Sequence, residues 1–138
     1  MQVREMMPSD LPTLRKIYLR ARQQTFTWEN AAHMQLNDFD TDTAGELVLC
    51  AINGKRMIGF VTIWRPTDFI HCLFIDPNQQ GQGVGRRLLD CALMNMKRPA
   101  SLKCTAKNGR ALSFYERNGW RRTTLDISGE PYWNMIFS

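Results

Sequence analysis

From Leu73-Phe74-Ile75 the chain passes through Asp76-Pro77-Asn78-Gln79-Gln80 to Gly81-Gln82-Gly83-Val84-Gly85-Arg86-Arg87: an apolar strand pattern, a glycine turn, then a helical pattern. Such a turn exposes backbone N–H groups at a helix N-terminus, where the macrodipole adds roughly half a positive charge, and phosphates bind there readily. The glycines let the backbone approach a ligand closely, and Arg86 and Arg87 add charge of the matching sign. Two nucleotide-binding motifs fail against this segment. The P-loop needs lysine then serine or threonine after its last glycine, and Arg86 stands in the lysine's place. The dinucleotide fingerprint needs a different glycine spacing and an acidic residue about 20 positions on, but the next strand pattern is Ser101 to Thr105. The residues by themselves leave open a phosphate cradle or a tight structural turn.

The surrounding pattern must position this turn. Gln2 to Met6 reads as a short strand. Ser9-Asp10-Leu11-Pro12 starts a helix, and Leu11, Leu14, Ile17, Tyr18 and Ala21 continue it at helical spacing to about Gln24. Trp28 to Leu36 reads as a second, weaker helix. Glu46 to Ile52 and Arg56 to Trp64 are strands joined through Asn53-Gly54, a type I′ hairpin signal. Asp68 to Ile75 is a further strand. Leu88, Leu89, Ala92, Leu93 and Met96 mark an amphipathic helix running to Arg98-Pro99. After Ser101 to Thr105 comes a helix through Ala111, Leu112, Phe114 and Tyr115, ended by Asn118-Gly119. A hairpin over Trp120 to Ile127 and Tyr132 to Phe137 closes the chain. The order β-α-α-β-β-β-α-β-α-β-β describes one α/β domain over residues 1–138, with a mostly antiparallel sheet and a parallel β-α-β step at its centre.

With 138 residues, 43% hydrophobic and 22% charged, the chain has the composition of an ordinary globular protein, and disordered, collagen-like and disulfide-scaffold classes are excluded. The net charge of +5 is unevenly spread. Between Arg22 and Lys55 there is no lysine or arginine, while Glu29, Asp38, Asp40, Asp42 and Glu46 fall there. From Arg86 to Arg122 ten basic residues face only Asp90 and Glu116. Cys50, Cys72, Cys91 and Cys104 show no metal-ligand spacing, so no metal is expected and the thiols read as buried and reduced, as in the cytoplasm. No apolar run is long enough to span a membrane, and no membrane partner is expected.

Gln80-Gly81-Gln82-Gly83-Val84-Gly85 resembles the acetyl-CoA signature of the GNAT-type N-acetyltransferases. The run from Asn108 through Gly109, Ala111, Phe114 and Tyr115 to Gly119-Trp120 is similar to that superfamily's second element, an asparagine followed by Ala-x-x-Phe-Tyr and a Gly-aromatic pair. Both match in residue type, spacing and separation. The resemblance implies the GNAT-like sheet, in which the strand holding Ile75 splays from the one holding Lys103. It implies acetyl-CoA as co-substrate: backbone groups of Leu73 and Ile75 pair with the pantetheine arm, N–H groups from Gln80 through Gly81, Gln82, Gly83, Val84 and Gly85 to Arg86 cradle the pyrophosphate, and Asn108 holds the arm from the next loop. Tyr115 places its hydroxyl near the sulfur and protonates the leaving thiolate.

Acetyl transfer to nitrogen needs a neutral amine, and a lysine-like amine is neutral in only about one molecule in 2,500 at pH 7. A base is therefore useful. His71 is the candidate, since histidine titrates near working pH and this one lies on the strand leading to the turn; Glu46 or Asp68 acting through water are alternatives. Phe26, Trp28, Tyr132 and Trp133 are expected to line an aromatic acceptor pocket, with the acidic stretch Asp38 to Glu46 drawing in a cationic amine. The expected acceptor is a primary amine of a small molecule or peptide, attacking directly in a ternary complex. A non-catalytic acyl-CoA-binding regulatory module and an acetyltransferase acting on aminoacyl-tRNA through Arg110 to Arg122 rank below it. No RNA-binding motif is present, so nucleic acid is not the expected partner, and a homodimer is one assembly the chain allows.

Overall fold

The structure is a computed structural model describing Met1–Ser138. In chain order its elements are β1 (Gln2–Glu5), α1 (Leu11–Thr25), α2 (Asp38–Asp42), β2 (Leu47–Asn53), β3 (Arg56–Trp64), β4 (Phe69–Ile75), α3 (Val84–Leu93), β5 (Ala100–Thr105), α4 (Gly109–Arg117), β6 (Arg121–Asp126) and β7 (Tyr132–Phe137). The seven strands form one sheet in the order β1-β2-β3-β4-β5-β7-β6. Every neighbouring pair is antiparallel except β4 with β5, which the α3 crossover makes parallel. The expected order of elements and the mixed sheet with its single parallel step are both present.

Each face of the sheet carries two helices, because each helix buries one apolar stripe. Leu14, Ile17, Tyr18 and Ala21 of α1 are buried, and the first three pack with Phe39 of α2 against Val48, Cys50, Phe60 and Cys72. On the other face Leu88, Leu89 and Ala92 of α3 and Leu112 of α4 cover Leu49, Val61, Ile63, Leu102 and Met135. The stripes read from the sequence are those that pack.

Three boundaries differ from expectation. Trp28 to Leu36 is not a helix. It holds one 3₁₀ turn, Ala31–His33, capped by Asn30 Oδ1 accepting from Ala32 N at 3.0 Å, and the helix lies further on in the acidic stretch. The reason is electrostatic as well as apolar: Arg15 grips Asp40 through 2.9 and 2.6 Å bonds, Arg22 reaches Asp38, and the Tyr18 hydroxyl donates to Asp42 at 2.6 Å. Asp38, Asp40 and Asp42 therefore hold α2 to α1, which leaves Glu46 as the carboxylate of this stretch that reaches the cleft, through His71. Helix α3 ends at Leu93, short of Arg98-Pro99. The β2–β3 turn centres on Gly54-Lys55, since Asn53 pairs with Arg56, and only Gly54 has positive φ (65°), which fits a type II′ rather than a type I′ turn.

Candidate active site

Strands β4 and β5 pair only at Phe69↔Ser101 and Ile70↔Leu102, and beyond these residues they part. A cleft of roughly 1140 Å³ opens at the gap. His71, Leu73, Ile75, Gln80, Gly81, Gly83, Gly85, Arg86, Asn108 and Tyr115 line it, together with Phe26 and Trp28. The chain thus gathers at one opening most of the residues singled out by type and spacing.

The glycine turn supplies the cleft's polar end. Gly83, at φ 78°, is the N-cap of α3, and Gly81 has φ 84°, so both hold a backbone that L side chains rarely adopt. The first bond closing the helix runs from Arg87 N to Gly83 O at 3.2 Å, which leaves the N–H groups of Val84, Gly85 and Arg86 without acceptors in the helix. Gly85 has a packing role. A Cβ there would stand 3.2 Å from Phe114 Cζ, so its absence lets α3 and α4 close together. Ahead of the turn, buried Asp76 accepts from Asn78 N at 3.1 Å. The Val84 side chain is core, leaving only its backbone for a ligand, and Gln82 is exposed outside the cleft lining.

Across the gap, Asn108 caps α4 by accepting from Ala111 N at 3.2 Å, which leaves its amide N–H groups free. About two helical turns on, half-buried Tyr115 packs edge-on against Phe114 and Trp120, and its hydroxyl has no hydrogen-bond partner in the protein. Burial, with the Cys104 and Cys72 thiols nearby, pushes this phenol above its ordinary range, so it stays protonated.

His71 owes its position to a bulge. Thr62 pairs with Cys72 and Ile63 with Ile70, so His71 is the extra residue on β4. The bulge reverses the alternation of the strand: Ile70 joins the core under α3, whereas Cys72 joins the core under α1. Fully buried Thr62 holds the bulge by accepting from Cys72 N at 3.1 Å. His71 Nδ1 lies 2.7 Å from Glu46 Oε2, and the Glu46 side chain is only 8% exposed, with Oε1 buried and unpartnered. The two residues considered separately as bases form one couple. Asp68 does not join them, because its Oδ1 accepts from Lys97 N at 2.9 Å in a turn at the far end of the strand. Thr62→Val removes the acceptor from a buried N–H and should lower unfolding free energy by about 1–3 kcal/mol, measured by urea denaturation; a loss under about 0.5 kcal/mol would show that the bulge does not depend on this bond.

On the side of α1, Phe26 and Trp28 meet edge-on at 5.4 Å and Phe26 reaches Phe74 at 6.2 Å. Tyr132 stands on β7 with its hydroxyl bonded to Asp126 at 2.9 Å and the Lys103 ammonium 5.0 Å from its ring. Neither Tyr132 nor Trp133 is on the lining of the cleft, so of the four expected acceptor-pocket aromatics only Phe26 and Trp28 line it, and Trp133 is turned away altogether. It pairs with Cys104, packs with the core under α3 and α4, and carries the Arg122 guanidinium over its ring. Adjacent strand residues face opposite ways, and that alternation is the signal that separates Tyr132 from Trp133. Lys103, which also lines the cleft, was not singled out from sequence as a site residue. No group of three or more His, Cys, Asp or Glu side chains is gathered as a metal site.

Comparison with known proteins places this geometry. A family model described as acetyltransferase (GNAT) matches residues 11–120. The chain is 28% identical over 115 residues to the peptidyl-lysine N-acetyltransferase YjaB of Salmonella typhimurium, covering 78% of this chain and 77% of that protein. It is 31% identical over 121 residues to the mycothiol acetyltransferase of Propionibacterium freudenreichii, covering 79% of this chain but only 38% of the longer relative. The crystal structure of the PaiA N-acetyltransferase of Thermoplasma acidophilum in complex with coenzyme A superposes with a TM-score of 0.79 at 20% identity, over 99% of this chain and 97% of that one.

Proposed function

Because the chain belongs to the acetyltransferase (GNAT) family and is an acyltransferase, we propose that it moves an acetyl group from acetyl-CoA to a primary amine of a small molecule or peptide, by direct attack in a ternary complex. The observation that carries this reading is the parting of β4 from β5, with the glycine turn and Tyr115, its hydroxyl unpartnered, both on the lining of the cleft that opens there. A structural neighbour holds coenzyme A, which supports the same co-substrate here.

In this reading the free N–H groups at the start of α3, from Gln80 to Arg86, take the pyrophosphate, and Arg86, Arg110 and Arg117 surround the polyanion. The pantetheine arm lies in the gap beside Leu73, Ile75 and Asn108. His71, oriented through Nδ1 by Glu46, presents Nε2 to the amine or to a water that relays its proton. The Tyr115 hydroxyl meets the sulfur as the thiolate forms. A phenol pushed above its ordinary pKa of about 10 is a weaker acid than a thiol, so it does not readily give its proton up to the leaving thiolate. Tyr115 therefore acts chiefly by donating a hydrogen bond to the developing charge, and complete protonation of the leaving group, expected from the family resemblance, is the lesser part.

Direct attack is supported by the state of the thiols. Burial pushes Cys50 and Cys72 up to about 12 and Cys104 to about 11, so none is a nucleophile near neutral pH. With acetyl-CoA and no amine, intact-mass analysis should show unmodified protein, and iodoacetamide at pH 8 should label Cys91 ahead of the other three. An acetylated Cys72 would overturn the direct mechanism. Four unpaired thiols, three of them buried and Cys91 only partly so, also support a cytoplasmic location; no helix is long and apolar enough to cross a membrane.

The aminoacyl-tRNA reading ranks lower, since Arg110 and Arg117 of its basic surface line the cleft and Arg122 bonds Glu116 at 3.1 Å and covers Trp133. A non-catalytic module would have no use for the free Tyr115 hydroxyl. The test is release of coenzyme A thiol across polyamines, amino acids, aminoglycosides and peptides. Turnover with at least one amine is expected, and tight acetyl-CoA binding without release in any class would return the chain to the binding-module reading.

A further inference from the structure

We propose that the acceptor site selects amines that also carry a carboxylate, and that Lys103 is the group that binds it. This rests on the acetyl-transfer reading above and goes on to the substrate class. Lys103 projects from β5 into the cleft, its ammonium 5.0 Å from the Tyr132 ring centroid and 6.0 Å from that of Phe69. Phe69 in turn stacks on His71, centroids 6.3 Å apart. A positive charge thus stands one aromatic ring away from the imidazole that receives the amine.

That charge has no partner of its own. No carboxylate lies within 4.0 Å of it, whereas Lys107, further along the same side, is paired with Glu130 at 3.2 Å. Lys103 does act on Asp126, holding its carboxyl below the usual range after larger contributions from Ser128 and Tyr132. Both oxygens of Asp126 are nevertheless occupied, by Ser128 N and Oγ at 2.9 and 2.6 Å and by the Tyr132 hydroxyl. Arg86, Arg110 and Arg117 belong to the end where the polyanionic cofactor docks. Glu29, on the loop after Trp28, also lines the cleft but is exposed to water and makes no ion pair with Lys103, and the acidic side chains of α2 are bound to α1. On the acceptor side Lys103 is therefore the cation free to take an anion, and a charge-assisted bond there is roughly twice as strong as a neutral one. Because a ring separates it from His71, the carboxylate must lie several bonds from the amine nitrogen.

The test is initial-rate thiol release with a ladder of ω-amino acids, from glycine to aminohexanoate, each compared with its carboxamide. In the wild-type enzyme the longer acids should show KM values about five- to tenfold below those of their amides. Lys103→Gln should bring that ratio close to one, and Lys103→Arg should restore it. Amides used as well as acids, or a preference that survives Lys103→Gln, would overturn the carboxylate site while leaving acetyl transfer intact. A second arm reads binding without chemistry, by saturation-transfer NMR of the same ladder in the presence of coenzyme A. Acids that bind in a Lys103-dependent way but release no thiol would overturn acetyl transfer and leave the carboxylate site standing, and acids binding no better than amides would overturn the site whatever the turnover.

Discussion

Replacing Tyr115 by phenylalanine should lower kcat by about 100- to 1,000-fold, the loss typical of removing one donor to developing negative charge, while acetyl-CoA affinity stays within about twofold. The ring keeps its edge-on contacts with Phe114 and Trp120, and no protein group loses a partner, because the hydroxyl has none. Stability should be unchanged or slightly higher, since an unpaired hydroxyl leaves a half-buried site. Rapid-quench kinetics and calorimetric titration of acetyl-CoA separate the two effects. Turnover undiminished at saturating substrate would remove Tyr115 from the chemistry. The direction of its pKa adds a second expectation. A phenol raised above its ordinary value keeps its proton through the alkaline range, so kcat in the wild-type enzyme should not fall through loss of that proton below about pH 10.

His71→Ala should lower kcat/KM for a lysine-like amine by about 100- to 1,000-fold near neutral pH, within the range of a lost general base. An α-amine, closer to neutrality at pH 7, should suffer less from the substitution than a lysine-like one. Glu46→Gln should act in the same direction and more weakly, because it leaves the imidazole in place without the carboxylate that orients it at 2.7 Å. A kcat/KM for a lysine-like amine that stays within about twofold of wild type in His71→Ala would exclude His71 as the base.

What could be read from the chain and what could not divides by the range of the interactions. The glycine turn, the Asn108 cap and Tyr115 about two helical turns later are local patterns, and a cap or a positive φ is set by neighbours in sequence. The amphipathic stripes of α1 and α3 were legible for the same reason. The Glu46–His71 couple spans 25 positions, and the bulge that presents His71 depends on Thr62, a buried hydroxyl ten residues away on another strand. No spacing rule marks either. The acidic stretch looked like an open surface because Arg15 and Arg22, its partners, lie in the preceding helix and meet it only in the fold. Trp133 is a different case, since period-two alternation along β7 already separates it from Tyr132, and it sets Lys103 of β5 apart from its buried neighbours Leu102 and Cys104.

The central claim is that acetyl passes directly from acetyl-CoA to an amine held in the same cleft, and initial-rate kinetics with both substrates varied test it most directly. Using the best amine from the screen, double-reciprocal plots should intersect, with thiol released and N-acetylated product formed in equal amounts. Parallel lines, together with thiol release from acetyl-CoA before any amine is added, would contradict direct transfer and point to a covalent acetyl-enzyme.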